Sequence, residues 1–387
     1  MNTSVYLDNA ATTRISDTVL EGMSVYLKES YGNPSSLYAL GRDAERAITK
    51  ARERVAAALN CLPQEIYFTG SGSESNNWAI RQCTVDSGQG TVITSEFEHH
   101  AVLHVLGNNT ILLPVYDNGL VSPEDLEKAL SENPYVKLVT IMFANNEIGT
   151  VQPISEIGEI CKKYNVLFHT DAVQAVGNIP IDVKSMNIDM LSLSGHKIHA
   201  MKGVGALYVN SRLRLPPLIL GGAQENNRRA GTENVAGIVG LGIAIEEAVA
   251  DMEQKNAELL KKRERIYNEV MKIERVRLNG ELQRRLANNL NFSFEGIEGE
   301  ALLLQLDLKG ISASSGSACT SGSLDPSHVL LALGLPHEIA HGSLRITLSK
   351  YTTDNEIDYF LQQLPPIIEK LRALSPVWEN IKREEAQ

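Results

Sequence analysis

The chain has 387 residues, of which 43% are apolar and 21% are charged, a composition that excludes a disordered or fibrous protein. Its 36 basic and 47 acidic side chains give a formal net charge of −11, which argues against nucleic acid as the main ligand. Four cysteines without a Cys-x-x-Cys pair fit a reducing compartment. The N-terminus lacks a signal-peptide pattern and no apolar stretch has the length of a membrane span, so we expect a cytoplasmic protein without a membrane partner.

Residues 16–212 alternate between helical and strand patterns at the spacing of α/β folds. A long amphipathic helix is predicted over residues 36–59, and a strand over 65–69 leads through a Gly- and Ser-rich turn into a helix over 74–82. Further strands are predicted at residues 90–95, 137–143, 166–169, 190–194 and 204–209. Because they are short, mostly apolar and separated by helices, these strands indicate a buried, mainly parallel sheet.

The remaining third of the chain has the pattern of a smaller α+β region. Its predicted elements are a helix over 251–265, strands near 276–278 and 289–294, and helices at 299–306 and 355–374. Pro365 and Pro366 are expected to split the last helix in two. We therefore predict a large α/β domain over residues 15–255 and a small α+β domain made of 1–14 and 256–387, with a boundary inside a helix near 255.

Three polar motifs directly follow predicted strands. Residues 69–74, Thr-Gly-Ser-Gly-Ser-Glu, place a turn at a helix N-terminus, which either cradles a phosphate or is a Ser-rich helix cap. Asp171 either holds a cationic ring nitrogen or caps a helix. Lys197 either forms a Schiff base or is a surface lysine.

Together these motifs supply the three groups that pyridoxal phosphate requires: a phosphate cradle, an acid for the ring nitrogen and an amine. A carboxylate ~4 Å from the ring N–H⁺ contributes about 4 kcal/mol at an effective dielectric constant of about 20, or roughly three pKa units. That is enough to keep the ring nitrogen protonated, so the ring can accept electrons from a Cα carbanion.

Further candidates lie elsewhere in the chain. Cys319 sits among seven hydroxyl residues and two glycines in residues 312–323, so it is either a loop nucleophile or an incidental thiol. The other cysteines, Cys61, Cys83 and Cys161, lie in or beside helical patterns and are interpreted as structural.

One histidine and one arginine are candidates of a different kind. His99 either stacks on a cofactor ring and carries protons or packs locally. Arg345, inside an apolar strand pattern, binds either a substrate carboxylate or an internal acid. The histidine-containing runs at 98–100 and 197–199 lack a metal-binding pattern, so no resident metal is expected.

In their sequence and order along the chain, the motifs that contain these residues resemble those of the cysteine desulfurases of the NifS/IscS type, which are fold-type I pyridoxal-phosphate enzymes. The segments that carry the resemblance are YLDNAATT (6–13), YGNPSS (31–36), NNEIG (145–149), HTDAVQ (169–174), SGHK (194–197), RAGT (229–232) and SGSACTS (315–321). The resemblance covers nearly the whole chain, so it implies the fold-type I architecture with a mainly parallel sheet in the large domain.

The resemblance implies a role for each candidate. Lys197 would carry the Schiff base and act as the base at Cα, Asp171 would hold the ring nitrogen, Gln174 the ring hydroxyl, and His99 would stack on the ring and shuttle protons. The implied phosphate-site residues are Gly72, Ser73, Ser194 and His196, with Gly195 beside them and Thr232 contributed by the partner subunit of a homodimer. Asn146 would contact cofactor and substrate, and Arg345 would bind the carboxylate of L-cysteine.

In this reading Cys319 attacks the substrate sulfur, which leaves alanine and a persulfide for sulfur acceptors such as an iron–sulfur scaffold protein. Two positions depart from the family pattern: Met201 precedes Lys202-Gly203 where a proline is usual, and Ser73 stands where many members have threonine. The alternatives are an aminotransferase, a selenocysteine lyase, or a colourless scaffold for iron–sulfur assembly. Whether Cys319 also ligates a cluster transiently stays open.

Overall fold

The computed structural model describes residues 4–84, 90–315 and 326–385. Its strands are β1 (Val5–Tyr6), β2 (Ile66–Thr69), β3 (Thr91–Ser95), β4 (Thr110–Leu113), β5 (Val136–Thr140), β6 (Leu167–Asp171), β7 (Met190–Ser194), β8 (Gly205–Val209), β9 (Val276–Leu278), β10 (Asn289–Phe294), β11 (Ile311–Ser312) and β12 (Ser343–Thr347).

The α-helices alternate with these strands in the first part of the chain and predominate in the rest. They are α1 (Asp17–Lys28), α2 (Ala39–Leu59), α3 (Gly72–Thr84), α4 (His100–Leu103), α5 (Pro123–Glu132), α6 (Ile154–Tyr164), α7 (Gln224–Asn227), α8 (Val235–Ala250), α9 (Met252–Val270), α10 (Gly299–Asp307), α11 (His328–Ala332), α12 (His337–His341), α13 (Asp354–Ala373) and α14 (Pro376–Glu385). None of them, over the residues described, is both long and apolar enough to cross a lipid bilayer.

The central sheet has the strand order β2-β8-β7-β6-β5-β3-β4 in the described part of the chain. β8 runs antiparallel to both of its neighbours, β2 and β7. All strand pairs from β7 to β4 are parallel, which confirms the prediction of a mainly parallel α/β sheet. β7 and β8 are buried along their whole length, as expected for strands covered by helices on both faces. β4, which the sequence did not predict, is a partly exposed edge strand.

A second, antiparallel sheet of β12, β10 and β9 carries its own apolar cluster. The N-terminal segment joins this region, because β1 pairs with β11 and Leu7 packs into the same cluster. Val329 and Leu330 of α11, by contrast, pack against the core of the larger sheet. The position 255 lies within α9, and the two domain ranges stay a prediction.

The expectation that Pro365 and Pro366 split the last long helix is wrong, because α13 is continuous through both. Each proline removes a backbone donor, but Leu364 and Ile367 are buried in the apolar cluster of the small sheet. Burying such a side chain contributes about 2 kcal/mol, which offsets the lost hydrogen bonds. Thr353 and Glu356 also form a capping box that fixes the start of the helix.

Candidate active site

A cavity of about 300 Å³ lies at the carboxyl ends of the parallel strands. This edge of a parallel sheet is where α/β proteins bind their ligands. The residues singled out in the sequence that line this cavity are Gly72, Ser73, His99, Asn146, Asp171, Gln174, Ser194, His196, Lys197 and Arg345. They come from separate strand ends and from β12, so the fold brings together motifs that are far apart in the chain.

The turn between β2 and α3 forms one wall of the cavity through Ser71 and Gly72. The Ser71 hydroxyl accepts a 3.1 Å hydrogen bond from the Glu74 N–H, so the helix cap proposed as the alternative is present. A Cβ atom at Gly72 would lie 2.7 Å from Val173 Cγ2, which requires glycine at this position. The positive end of the α3 dipole therefore borders the cavity with little side-chain bulk, as an anion cradle needs.

Asp171, at the end of β6, is only 6% exposed and accepts two hydrogen bonds. Its Oδ2 accepts from Asn76 Nδ2 at 2.6 Å and its Oδ1 from the Val173 N–H at 3.0 Å. The sequence analysis missed Asn76. Its position four residues after Gly72 on α3 places it on the helix face that borders the cavity, and that spacing was the available signal.

Lys197 ends a short 3₁₀ turn that directly follows β7. Its Nζ donates to the carbonyl oxygens of Ala10 and Ala11, each at 2.6 Å, and Gln174 Nε2 donates to the same Ala10 oxygen at 3.0 Å. The N-terminal segment thus orients both side chains toward the cavity. Its role was not evident from the sequence, although the motif around Ala10 was part of the family resemblance.

His99 caps α4, and its Nδ1 accepts a 3.0 Å hydrogen bond from the Ala101 N–H. This bond assigns the ring hydrogen of the neutral form to Nε2. Burial lowers the pKa of His99, and Asp171 partly opposes that change. The neighbouring Glu98 is fully buried, accepts from Ser95 Oγ and the Met142 N–H, and burial raises its pKa to about 8.

Arg345 on β12 has a side chain that is 3% exposed and is held on two sides. Its Nη2 donates to Asp8 Oδ1 at 2.8 Å, and its Nη1 donates to the Asn146 carbonyl oxygen at 3.0 Å. Its buried Nε has no hydrogen-bond partner among the residues described. The internal ion pair considered from the sequence exists, and the same guanidinium also lines the cavity.

Two predicted residues lie beside this cavity rather than on its wall. Gly195 belongs to the turn before Lys197, where a Cβ atom would lie 2.9 Å from Val204 Cγ1, so close packing requires glycine. Thr232 is exposed and borders a separate cavity together with Gly70 and Arg229.

Burial makes the two cysteines whose side chains the structure describes unreactive. Cys319 lies outside the described residues, as does the side chain of Cys83. Cys61 is half-buried, and burial raises its thiol pKa to about 12; the pKa of the buried Cys161 is raised for the same reason. Neither thiol is suited to act as a nucleophile. In the part of the chain that the structure describes, no cluster of His, Cys, Asp and Glu could hold a metal ion.

The lining fits pyridoxal phosphate in the chemistry of its donors. A helix N-terminus without side-chain bulk suits the phosphate, a buried and oriented carboxylate suits the ring nitrogen, and a lysine amine suits the aldehyde carbon. The buried Asn76 Oδ1 also lacks a partner within the described chain, so the wall retains an unused acceptor.

Comparisons with known proteins identify the family of the chain. The family model of class V aminotransferases matches residues 5–360. The cysteine desulfurase IscS of Methanosarcina thermophila is 52% identical over 385 residues, which cover 97% of this chain and 95% of that protein.

Solved structures of similar proteins have the same fold as this chain. A NifS-like protein from Rickettsia africae superposes with a TM-score of 0.88 at 35% identity, covering 95% of this chain and all of that one. A structure described as SspA in complex with cysteine has a TM-score of 0.79 at 37% identity and covers 90% of this chain and 100% of that chain. The chain therefore belongs to the class V aminotransferase family and, within it, to the pyridoxal-phosphate-dependent cysteine desulfurases.

Proposed function

We propose that this protein converts L-cysteine to L-alanine and transfers the sulfur atom to Cys319, from which protein acceptors take it. The proposal rests on one observation: Lys197, Asp171 and Arg345 line the same cavity. The cysteine bound in a structural relative supports the choice of substrate. An iron–sulfur scaffold protein is the acceptor class that we propose, and the cytoplasm is the proposed location.

Substrate recognition is assigned to Arg345 and Asn146. Arg345 is buried against Asp8, yet its Nε–H has no partner in the described chain, so it retains a donor for a carboxylate. The Asn146 carbonyl oxygen holds the other end of the guanidinium, which limits its rotation. A planar guanidinium fixed in this way can bind the α-carboxylate of an amino acid through two N–H groups.

The cofactor, when bound, supplies an electron sink that weakens the bonds at Cα of the substrate. The chain supplies the rest. The α3 N-terminus at Gly72 would stabilise the phosphate, Asp171 would accept the hydrogen bond of the ring nitrogen, and Lys197 would hold the cofactor and move the Cα proton. His99 carries a ring hydrogen at Nε2 and is proposed to donate it during the reaction.

The sulfur step balances without an external oxidant. The Cys319 thiolate forms a bond to the substrate sulfur while the Cβ–S bond breaks, and that electron pair stays on Cβ. Cβ then takes a proton and becomes the methyl group of alanine. The Cys319 thiol and L-cysteine thus give a Cys319 persulfide and L-alanine, with the sulfur oxidised and Cβ reduced by the same two electrons.

A homodimer is part of the proposal. Thr232 is exposed and borders a cavity other than the one with Lys197, which supports the proposal that it contacts the phosphate site of a second copy of the chain. Arg229 beside it pairs with Glu74, and Glu74 Oε2 accepts from the Gly70 N–H. This ion pair connects the Thr232 loop to the turn that precedes α3.

The test of the function is a direct one. The purified protein should be yellow, with a Schiff-base absorbance band that borohydride abolishes, and should release equal amounts of alanine and sulfide from L-cysteine in the presence of a thiol reductant. A colourless preparation would favour the scaffold alternative. Amino-group transfer to a 2-oxo acid without sulfide would favour an aminotransferase, and turnover of selenocysteine alone would favour a selenocysteine lyase.

A further inference from the structure

Glu74 is an acidic residue next to the proposed phosphate site. It is the third residue of α3, and the two residues before it, Gly72 and Ser73, line the cavity with Lys197. A carboxylate in the first turn of a helix is attracted to the positive end of the helix dipole. A phosphate bound at the same turn is attracted to the same end but repelled by the carboxylate, so Glu74 without a partner would weaken phosphate binding.

Both carboxylate oxygen atoms of Glu74 have partners. Oε2 accepts from the Gly70 N–H at 2.9 Å, which closes the turn between β2 and α3. Oε1 accepts from Arg229 Nε at 2.8 Å, and Oε2 accepts from Arg229 Nη2 at 3.2 Å. The side chains of Glu74 and Arg229 are 19% and 23% exposed, so solvent screens the pair only in part. The pair as a whole carries no net charge.

Arg229 is held by its own loop and does not contact the cavity with Lys197. Its third guanidinium nitrogen, Nη1, donates to the Ala230 carbonyl oxygen at 3.3 Å, and the Ala230 N–H donates to the Ile219 carbonyl oxygen at 3.2 Å. Arg229 borders the separate cavity with Thr232, and the described lining of the cavity with Lys197 does not include it. Any effect of Arg229 on that cavity therefore passes through Glu74.

A second acid near Arg229 already has its own cation. Glu225 accepts from Arg52 Nη2 at 2.7 Å and from Arg52 Nη1 at 2.8 Å. The pKa of Arg229 is raised, first by its hydrogen bond to Glu74 and only to a smaller extent by the charge of Glu225. The positive charge of Arg229 is therefore directed to Glu74.

We propose that Arg229 is a positioning residue that cancels the charge of Glu74 and so keeps the N-terminus of α3 attractive to the cofactor phosphate. The inference rests on the proposed phosphate site at Gly72 and Ser73. Glu74 shapes the turn by binding the Gly70 N–H, and Arg229 removes the repulsion that the carboxylate would exert on a bound phosphate. Loss of Arg229 leaves a full negative charge beside the site.

The test compares pyridoxal phosphate with pyridoxal, which lacks the phosphate. Each is titrated into the full-length protein after removal of its cofactor, and the Schiff-base absorbance band measures binding. Arg229→Met should raise the dissociation constant of pyridoxal phosphate about tenfold and that of pyridoxal less than about twofold, because the added repulsion acts on the phosphate. The loss should shrink at about 1 M salt, where the Debye length is about 3 Å.

Further variants separate charge from attachment of the loop. Arg229→Lys keeps the charge and should bind pyridoxal phosphate within about threefold of wild type. Glu74→Gln keeps an oxygen that can accept from the Gly70 N–H and should bind it at least as tightly as wild type.

The double variant of Glu74→Gln and Arg229→Met has no net charge at this place, so its dissociation constant should return to within about threefold of wild type. The link from α3 to the Thr232 loop is still broken in that double variant. A defect that persists there would show that Arg229 only attaches the loop, and it would overturn the proposal.

A matched control exists between α2 and α8. Arg54, whose side chain is 24% exposed, has its Nε 3.0 Å from Glu246 Oε2, and the described lining of the cavity includes neither residue. Arg54→Met should leave both dissociation constants unchanged. Equal losses for the two ligands in Arg229→Met, or no loss for either, would overturn the inference. Wild-type protein that binds pyridoxal as tightly as pyridoxal phosphate would reject the proposed phosphate site, and one that forms the band with neither would reject the proposed role of Lys197.

Discussion

The side-chain amide of Asn76 lies 2.6 Å from Oδ2 of Asp171, although 95 residues separate the two along the chain. The bond orients a carboxylate whose other oxygen is already bound by the Val173 N–H. Asp171 is therefore fixed in direction as well as in position. A carboxylate held in this way can face a ring nitrogen without a further loss of side-chain conformational entropy.

Asp171→Asn should lower turnover by about 10³-fold, because in its proposed role the carboxylate gives the ring nitrogen an interaction of about 4 kcal/mol that the variant loses. Asn76→Ala keeps the charge and removes one orienting hydrogen bond, so its turnover should fall only about fivefold, or about 1 kcal/mol. Alanine release under saturating cofactor measures both. Equal losses in the two variants would show that orientation, and not charge, is the function of Asp171.

Lys197→Ala should abolish the Schiff-base absorbance band and reduce turnover to background, because we propose that the same amine binds the cofactor and moves the Cα proton. Lys202→Ala is the matched control, since Lys202 is an exposed lysine just beyond the same turn. It should keep both the band and the rate. Alanine release by Lys197→Ala at a rate near wild type would reject the assignment.

The sequence predicted elements well where the signal is local. β7, β9 and β10 begin and end where the apolar runs indicated. β4 was missed because a four-residue, partly exposed edge strand leaves little periodic pattern. The continuity of α13 was missed because it depends on burial of Leu364 and its neighbours against residues far away in the chain.

In the candidate site, too, the sequence predicted the residues with a local signal and missed the contacts between distant parts of the chain. Lys197 and Asp171 were found because they directly follow predicted strands of one sheet. The contacts that orient them were not found, since Lys197 binds carbonyl groups of residues 10 and 11 and Arg345 pairs with Asp8 over 337 positions. Periodicity carries no information at such separations, so these partners become visible only in the folded chain.

Glu98→Gln should reduce the pH dependence of stability. Burial raises the pKa of Glu98 to about 8 from its ordinary 4.5, so the folded protein keeps a proton that the unfolded chain loses above about pH 4.5. The contribution of Glu98 to the free energy of unfolding is therefore greatest below about pH 4.5. Above that pH it falls by on the order of 1.4 kcal/mol per pH unit until the pH reaches about 8. Denaturant unfolding of both proteins from pH 5 to 8 measures the difference. A slope unchanged in Glu98→Gln would contradict the buried, protonated state.

The protein should sediment as a homodimer, and activity should depend on Thr232 acting from the partner copy. Thr232→Ala should weaken cofactor retention by about tenfold, as expected for one lost hydrogen bond to a charged group. Mixed dimers carrying Lys197→Ala on one chain and Thr232→Ala on the other should contain one site with both lesions and one intact site. A monomer with full cofactor occupancy would contradict the proposal.

Cys319→Ser should keep the yellow colour and the absorbance change on adding L-cysteine, yet release no sulfide. In the proposed mechanism, substrate binding relies on Arg345 and Asn146 and activation on Lys197, none of which is altered. The Cβ–S bond, by contrast, breaks only when a thiolate takes the sulfur. A serine hydroxyl is a far weaker nucleophile toward sulfur. The defect should therefore appear in kcat and not in the dissociation constant of cysteine.

Cys61→Ser is the control for that variant, because burial raises the pKa of the Cys61 thiol to about 12 and leaves it inert near neutral pH. It should desulfurate cysteine like the wild type. In wild-type protein quenched during turnover, mass spectrometry should find one added sulfur on the peptide with Cys319 and none on the peptides with Cys61, Cys83 or Cys161. Sulfide release by Cys319→Ser at the wild-type rate would mean that the Cβ–S bond is cleaved without a protein thiol, as in a lyase reaction.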